Sequence, residues 1–176
     1  MSLFIKLGSV AGLFVAGLLL ACSGGGGGGG RGELINLGRA CPEFDPVVET
    51  AEAVVLTNDE RARAGVGSLT ANPTLNAVAE NYAMTMATQD FTGHVNPYTG
   101  EDAGDRLTAA GYTWSARAEN LAYGACSAAQ VVADWINSPE HHENMLGAGY
   151  TEIGIGAYHG GPEETYWVQV LATPPG

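Results

Sequence analysis

The chain has 176 residues, 45% of them hydrophobic, and carries 19 acidic against 7 basic residues for a net charge of −12. That balance repels phosphate backbones and anionic headgroups, which sets aside a nucleic-acid partner. Length and apolar content fit one globular domain able to bury a core. Residues 1–21 hold one cation, Lys6, and no acid. Leu7 to Leu20 is an apolar run, shorter than the roughly 20 residues of a membrane span, and reads as the core of a signal peptide.

The run ends in Leu19-Leu20-Ala21-Cys22, which resembles a bacterial lipobox. In such a signal the cysteine receives diacylglycerol and becomes the mature N-terminus. The alternative is an ordinary signal peptide with a chance cysteine. Ser23 resembles an outer-membrane sorting signal in a cell with two membranes. Loss of residues 1–21 would leave six arginines and no lysine. Gly24 to Gly30 is unbroken glycine, without side chains to pack and entropically costly to order, and therefore a tether. With Arg31 and Gly32 it spans roughly 15–20 Å on average. Residues 22–44 are accordingly read as lipidated Cys22, tether and N-terminal arm, anchoring an exported domain of residues 45–174 to the membrane. With Cys22 lipidated, Cys41 and Cys126 remain, and an even remainder in an exported chain favours a disulfide over two buried thiols.

Asp45-Pro46 starts the first expected helix, with Val47, Val48, Ala51, Val54, Val55 and Leu56 along one side and Gly65 as its end. Asn72-Pro73 caps a second, in which Leu75, Val78, Ala79, Tyr82 and Met86 recur at helical spacing as core. His94 falls in a loop before the turn-forming Asn96-Pro97-Tyr98-Thr99-Gly100. Asp105 to Gly111 is a short third helix with a glycine stop. Ala118-Glu119-Asn120-Leu121-Ala122 is apolar but for its middle. An ionised Glu119 there needs a partner unless it faces solvent from an edge strand. Ser127 to Gln130 has the pattern of a capping box opening a helix through Val131, Val132 and Trp135.

The segment Ser138-Pro139-Glu140-His141-His142-Glu143-Asn144-Met145-Leu146 places two of the four histidines side by side. Ser138 suits a cap and Pro139 the first helical position, which puts His141 in the first turn. The positive end of the helix dipole disfavours imidazolium, so a neutral ring fit for a metal or a general base is expected. Ile153, Ile155 and Ala157 alternate with Gly154 and Gly156, and after a turn at His159 to Pro162 the segment Tyr166 to Leu171 reads as the return strand. The glycines mark close approach of a backbone or a ligand. Helices first and a hairpin last give an α+β architecture, with helices covering an antiparallel sheet.

Taken in order, Leu56-Thr57-Asn58-Asp59-Glu60-Arg61, Phe91-Thr92-Gly93-His94, Asp105-Arg106-Leu107, Glu119-Asn120-Leu121-Ala122, Trp135 to His141, Asn144-Met145-Leu146 and Gly154-Ile155-Gly156 resemble the bacterial branch of the CAP (SCP) superfamily. That superfamily includes cysteine-rich secretory proteins, antigen 5 and pathogenesis-related proteins. The resemblance covers roughly residues 47–172 and implies a three-layer α-β-α sandwich. It implies a cleft gathering His94, Glu119 and His141, a set suited to a divalent metal, zinc above others. Asn120, Asn144 and Ser138 would support that cleft. Ser138 stands where many eukaryotic members carry a second glutamate. Glu140 and His142 replace the residues usual beside the motif histidine. His142 and His159 are expected to be exposed.

Two functions follow. One is a binding module, displayed as a monomer on the cell envelope with a lipid, peptide or envelope-protein ligand. The lack of a convincing nucleophile constellation supports it. The other is a metal-assisted hydrolase of peptidase type, with Glu119 as ligand or base and Asn120 orienting a substrate carbonyl. A third reading is that the His/Glu set only forms a buried network that fixes the cleft wall.

Overall fold

A computed structural model describes Cys41 and residues 43–176. The expected signal peptide, Cys22 and the glycine tether lie outside the described residues. The element order is α1 (Pro46–Arg63), β1 (Thr70–Ala71), α2 (Pro73–Gln89), α3 (Ala103–Ala109), β2 (Ala116–Tyr123), α4 (Ala128–Asn137), α5 (Pro139–Leu146), β3 (Glu152–His159) and β4 (Thr165–Thr173). The four strands form one sheet in the order β1-β3-β4-β2. β3 and β4 are the expected hairpin, β2 lies antiparallel along β4, and the two-residue β1 runs parallel to the start of β3.

Each face of this sheet buries a separate apolar cluster. On one side α2 lays Leu75, Val78, Ala79, Tyr82, Ala83 and Met86 against Leu121 of β2 and Tyr166, Val168, Val170 and Ala172 of β4. On the other, α1, α4 and α5 bring Ala53, Val131, Val132, Trp135 and Met145 onto Ile153, Ile155, Ala157, Trp167 and Leu171. The α-β-α sandwich therefore follows from strands that are apolar on both faces.

Local sequence explains the layers. Asn72 accepts hydrogen bonds from the Thr74 and Leu75 amides, and Pro73 occupies the first turn of α2, as the pattern predicts. The glycines of β3 admit that helix. A Cβ on Gly154 would lie 2.2 Å from the Leu75 carbonyl carbon, and one on Gly156 would lie 2.0 Å from the Glu80 nitrogen. The close approach is thus to the α2 backbone. Ser127 caps α4 through the Gln130 amide, but the Gln130 side chain returns to the Cys126 amide rather than to Ser127. Cys41 and Cys126 are bridged across a sequence separation of 85, tying the segment before α1 to the turn before α4.

Two expectations about the helices need correction. The buried face of α1 is only partly the expected one: Val54 and Leu56 are half-buried against the core, but Val47 is 78% and Val48 and Val55 58% exposed, while Ala53, Thr57 and Arg61 are buried. Thr57 and Arg61 can sit inside because each has hydrogen-bond partners there, and small Ala53 packs in the cluster beneath α4. α3 begins two residues early, capped by Asp102, which forms a reciprocal capping box with Asp105. Among the described residues, no helix is long and apolar enough to cross a membrane.

Candidate functional site

Residues on β2 alternate between the two layers. Leu121 belongs to the α2-side cluster, while Ala118 and Ala122 pack on the α1/α4 side. Glu119 therefore faces the α2 side and Asn120 the opposite side. β2 is an edge strand, yet Glu119 does not point to solvent. Its side chain is 4% exposed.

Both carboxylate oxygens of Glu119 are engaged. Arg106 donates to Oε2 at 2.6 Å, and His94 Nδ1 lies 2.9 Å from Oε1. Arg106 answers the need of a buried carboxylate for a partner. Its guanidinium lies 3.3 Å from the centroid of the Tyr82 ring, and it also donates to the Glu101 carbonyl. Nothing local in the sequence pairs Arg106 with Glu119. The signal that was there is negative: an ionisable residue in an apolar strand, in a domain with few cations.

The loop carrying His94 is fixed at both ends. Asn96 is buried and accepts from the amides of Tyr98 and Thr99, and its backbone bonds to Glu101 and Gly100. Tyr82 donates to the Gly93 carbonyl at 2.6 Å. The His94 ring itself is 57% exposed. With Nδ1–H given to the carboxylate, the tautomer leaves Nε2 as the open nitrogen.

His141 sits in the first turn of α5, half-buried. Burial pushes its pKa down, and the nearby His94 adds to the shift while Glu140 opposes it, so the neutral imidazole is favoured. Ser138 is the helix N-cap in position only, since its side chain makes no capping bond. Asn120 is fully buried and donates to the His141 carbonyl at 3.0 Å and to Gln169 Oε1 at 2.9 Å. Asn144 donates to Asn120 Oδ1 at 2.9 Å. Asn120 is therefore not free to orient a substrate carbonyl, which corrects that expected role. His142 is also not exposed as expected. It is half-buried, and its Nε2 lies 3.0 Å from Glu60 Oε1, tying α5 to α1. His159 is exposed at the hairpin end, edge-on to Phe44.

The donor set fits a divalent ion only in part. Two imidazoles with an open or neutral nitrogen are suitable ligands, whereas Glu119 is already engaged by Arg106 and His94. Among the described residues, no three His, Cys, Asp or Glu side chains are grouped to hold an ion together. Away from this site, Val47, Thr50, Ala51 and Val54 of α1 and Asn76 of α2 wall a groove of about 340 Å³ over Ile155.

Residues 54–171 match the family described as the cysteine-rich secretory protein (CAP) family. Among curated proteins, "Uncharacterized protein YkwD" of Bacillus subtilis is 30% identical over 118 residues, covering 67% of this chain and 44% of that protein. Solved structures share the fold, among them two from bacteria. An extracellular protein containing an SCP domain from Bacillus anthracis is 24% identical with a TM-score of 0.67, covering 72% of this chain and 41% of that one. An outer surface protein of Borrelia burgdorferi is 20% identical with a TM-score of 0.69, covering 75% of this chain and 97% of that one. The match thus takes in less than half of the YkwD and B. anthracis chains.

Proposed function

The chain belongs to the CAP family of cysteine-rich secretory proteins, and from that premise we propose that it is a binding module displayed on the cell envelope. His94 and His141 are its divalent-ion ligands, and the groove between α1 and α2 seats a lipid or peptide chain. Lipidation at Cys22, after removal of residues 1–21, supplies the anchor. Relatives of this fold are named as extracellular and outer surface proteins, which supports export.

One observation carries the choice of binding over hydrolysis. Glu119 has both oxygens engaged, by Arg106 at 2.6 Å and His94 at 2.9 Å. A hydrolytic use of the cleft needs a carboxylate free to take a proton from water. With both oxygens taken by Arg106 and His94, Glu119 has none left facing a bound water, and it serves instead to orient the His94 ring. A bound divalent ion would add a Lewis-acidic contact for an oxygen of the ligand.

Zinc titrated calorimetrically into the protein tests this reading. Binding of one equivalent is expected, lost in both His94→Ala and His141→Ala while circular dichroism stays native. Binding that survives both substitutions would refute the assignment. Cell fractionation tests the anchor: the protein should follow the membrane, and Cys22→Ala should release it or arrest its processing.

A further inference from the structure

We propose that Asn120 is the positioning residue for His141, so that Glu119 and Asn120, consecutive on the edge strand β2, hold the His94 ring and the His141 backbone from opposite faces of the sheet. The proposal rests on the reading of His94 and His141 as a ligand pair and deepens it.

The need for such a residue lies in α5. The helix has eight residues, and Ser138 gives it no side-chain cap. A helix that short has little stability of its own, so its placement comes from bonds to other elements. Arg61 holds its far end, donating to the Met145 carbonyl at 2.6 Å and the Gly147 carbonyl at 3.0 Å. Glu60 holds His142 on one flank. The bond that reaches residue 141 itself comes from Asn120.

Asn120 can act as a fixed point because its amide has one satisfied orientation. Both hydrogens of Nδ2 are used, on the His141 carbonyl and on Gln169 Oε1, and Oδ1 accepts from Asn144. A flip would set oxygen against two acceptors and the NH₂ group against the Asn144 donor. Gln169 is in turn fixed by Nε2 donating to Thr57 Oγ1 at 3.1 Å. The chain Thr57–Gln169–Asn120 runs from α1 across β4 to β2, so α5 takes its position from the sheet and from α1. On the other face Glu119 fixes His94 through Nδ1. Strand alternation thus makes one dipeptide the common reference for the His94 ring and for the backbone that carries His141, on distant segments.

The experiment compares Asn120→Ala and the milder Asn144→Ala with Asn72→Ala. Asn72→Ala removes the α2 cap and a bond to Glu152 near the opposite edge of the sheet, and so serves as a destabilised control. Zinc affinity measured by calorimetry on the full chain should fall about tenfold or more in Asn120→Ala, about threefold or more in Asn144→Ala, and stay near the wild-type value in Asn72→Ala. A second readout needs no metal: carbethoxylation of each histidine by diethyl pyrocarbonate, mapped by mass spectrometry. His141 should react several-fold faster in both α5-side variants, with His159 unchanged. Should Asn120→Ala fail to fold, Asn144→Ala carries both readouts. Wild-type zinc affinity, or an unchanged His141 rate, in the folded variants would overturn the proposal. Absence of zinc binding in the wild type would remove the ligand-pair reading alone. The His141 rate would then decide positioning: faster supports it, unchanged overturns it.

Discussion

The two faces of the sheet are built on different principles. Against α2 the interface over β3 and β4 is specified by shape, and the Arg106–Glu119–His94 bonds of that side lie at its β2 edge. Glycines at 154 and 156 let the helix backbone approach, and Leu75, Tyr82 and Met86 fill the space against β4. Against α1 and α5 the interface adds a buried polar chain, Thr57–Gln169–Asn120, with Asn144 and the His141 carbonyl at its end. Packing alone tolerates small shifts, whereas a satisfied hydrogen-bond chain admits one arrangement. The buried polar chain lies on the face that carries His141, and the Glu119 bonds at the edge of the other face reach His94, so directional bonds stand beside each of the two histidines.

The comparison can be broken at three levels. On the packed face, Met86→Ala leaves a cavity in a fully buried site and should cost about 2–5 kcal/mol in denaturant melts, with the slope unchanged. On the polar face, Gln169→Leu strands one Asn120 hydrogen and the Thr57 hydroxyl, and should cost about 2–3 kcal/mol. Adding Thr57→Val should return part of that loss, a coupling of about 1 kcal/mol in a double-mutant cycle. Additive effects would mean that the chain does not act as a unit.

The smallest effect is at the rim. Hydrogen bonds from His142 and then Arg63 hold the Glu60 carboxyl below its ordinary value near 4.5. A carboxyl depressed in the folded state stabilises above its ordinary pKa and loses that contribution as pH falls through the folded value. Glu60→Gln should therefore lower stability by about 0.5 kcal/mol or less at neutral pH, given how weak surface pairs are. The difference from wild type should vanish in acid, as read by urea melts at about pH 7 and about pH 3.

What the sequence revealed follows the same division. The α2 face was legible because apolar residues at helical spacing, an Asn-Pro cap and two alternating glycines are local patterns. The polar face was not. Thr57 and Arg61 are polar by type and the expected apolar face of α1 left them out, whereas Val47, Val48 and Val55 of that face are exposed. Glu60 and His142 are 82 residues apart, and at the edge of the α2 face Arg106 and Glu119 likewise belong to different elements. Such pairs leave no periodicity in the chain. The unmet need of Glu119 was visible, and its partner was not.

The central claim, that the His94 ring and the backbone of His141 are held from the two sides of β2 to make one ligand pair, is tested most directly by following all four histidine ring resonances by NMR during a zinc titration. The account predicts that the His94 and His141 signals move together and saturate at one equivalent, while His142, bound to Glu60, and His159, at the hairpin end, stay in place. Movement of only one of the pair, or of His142 or His159 in its stead, would contradict it.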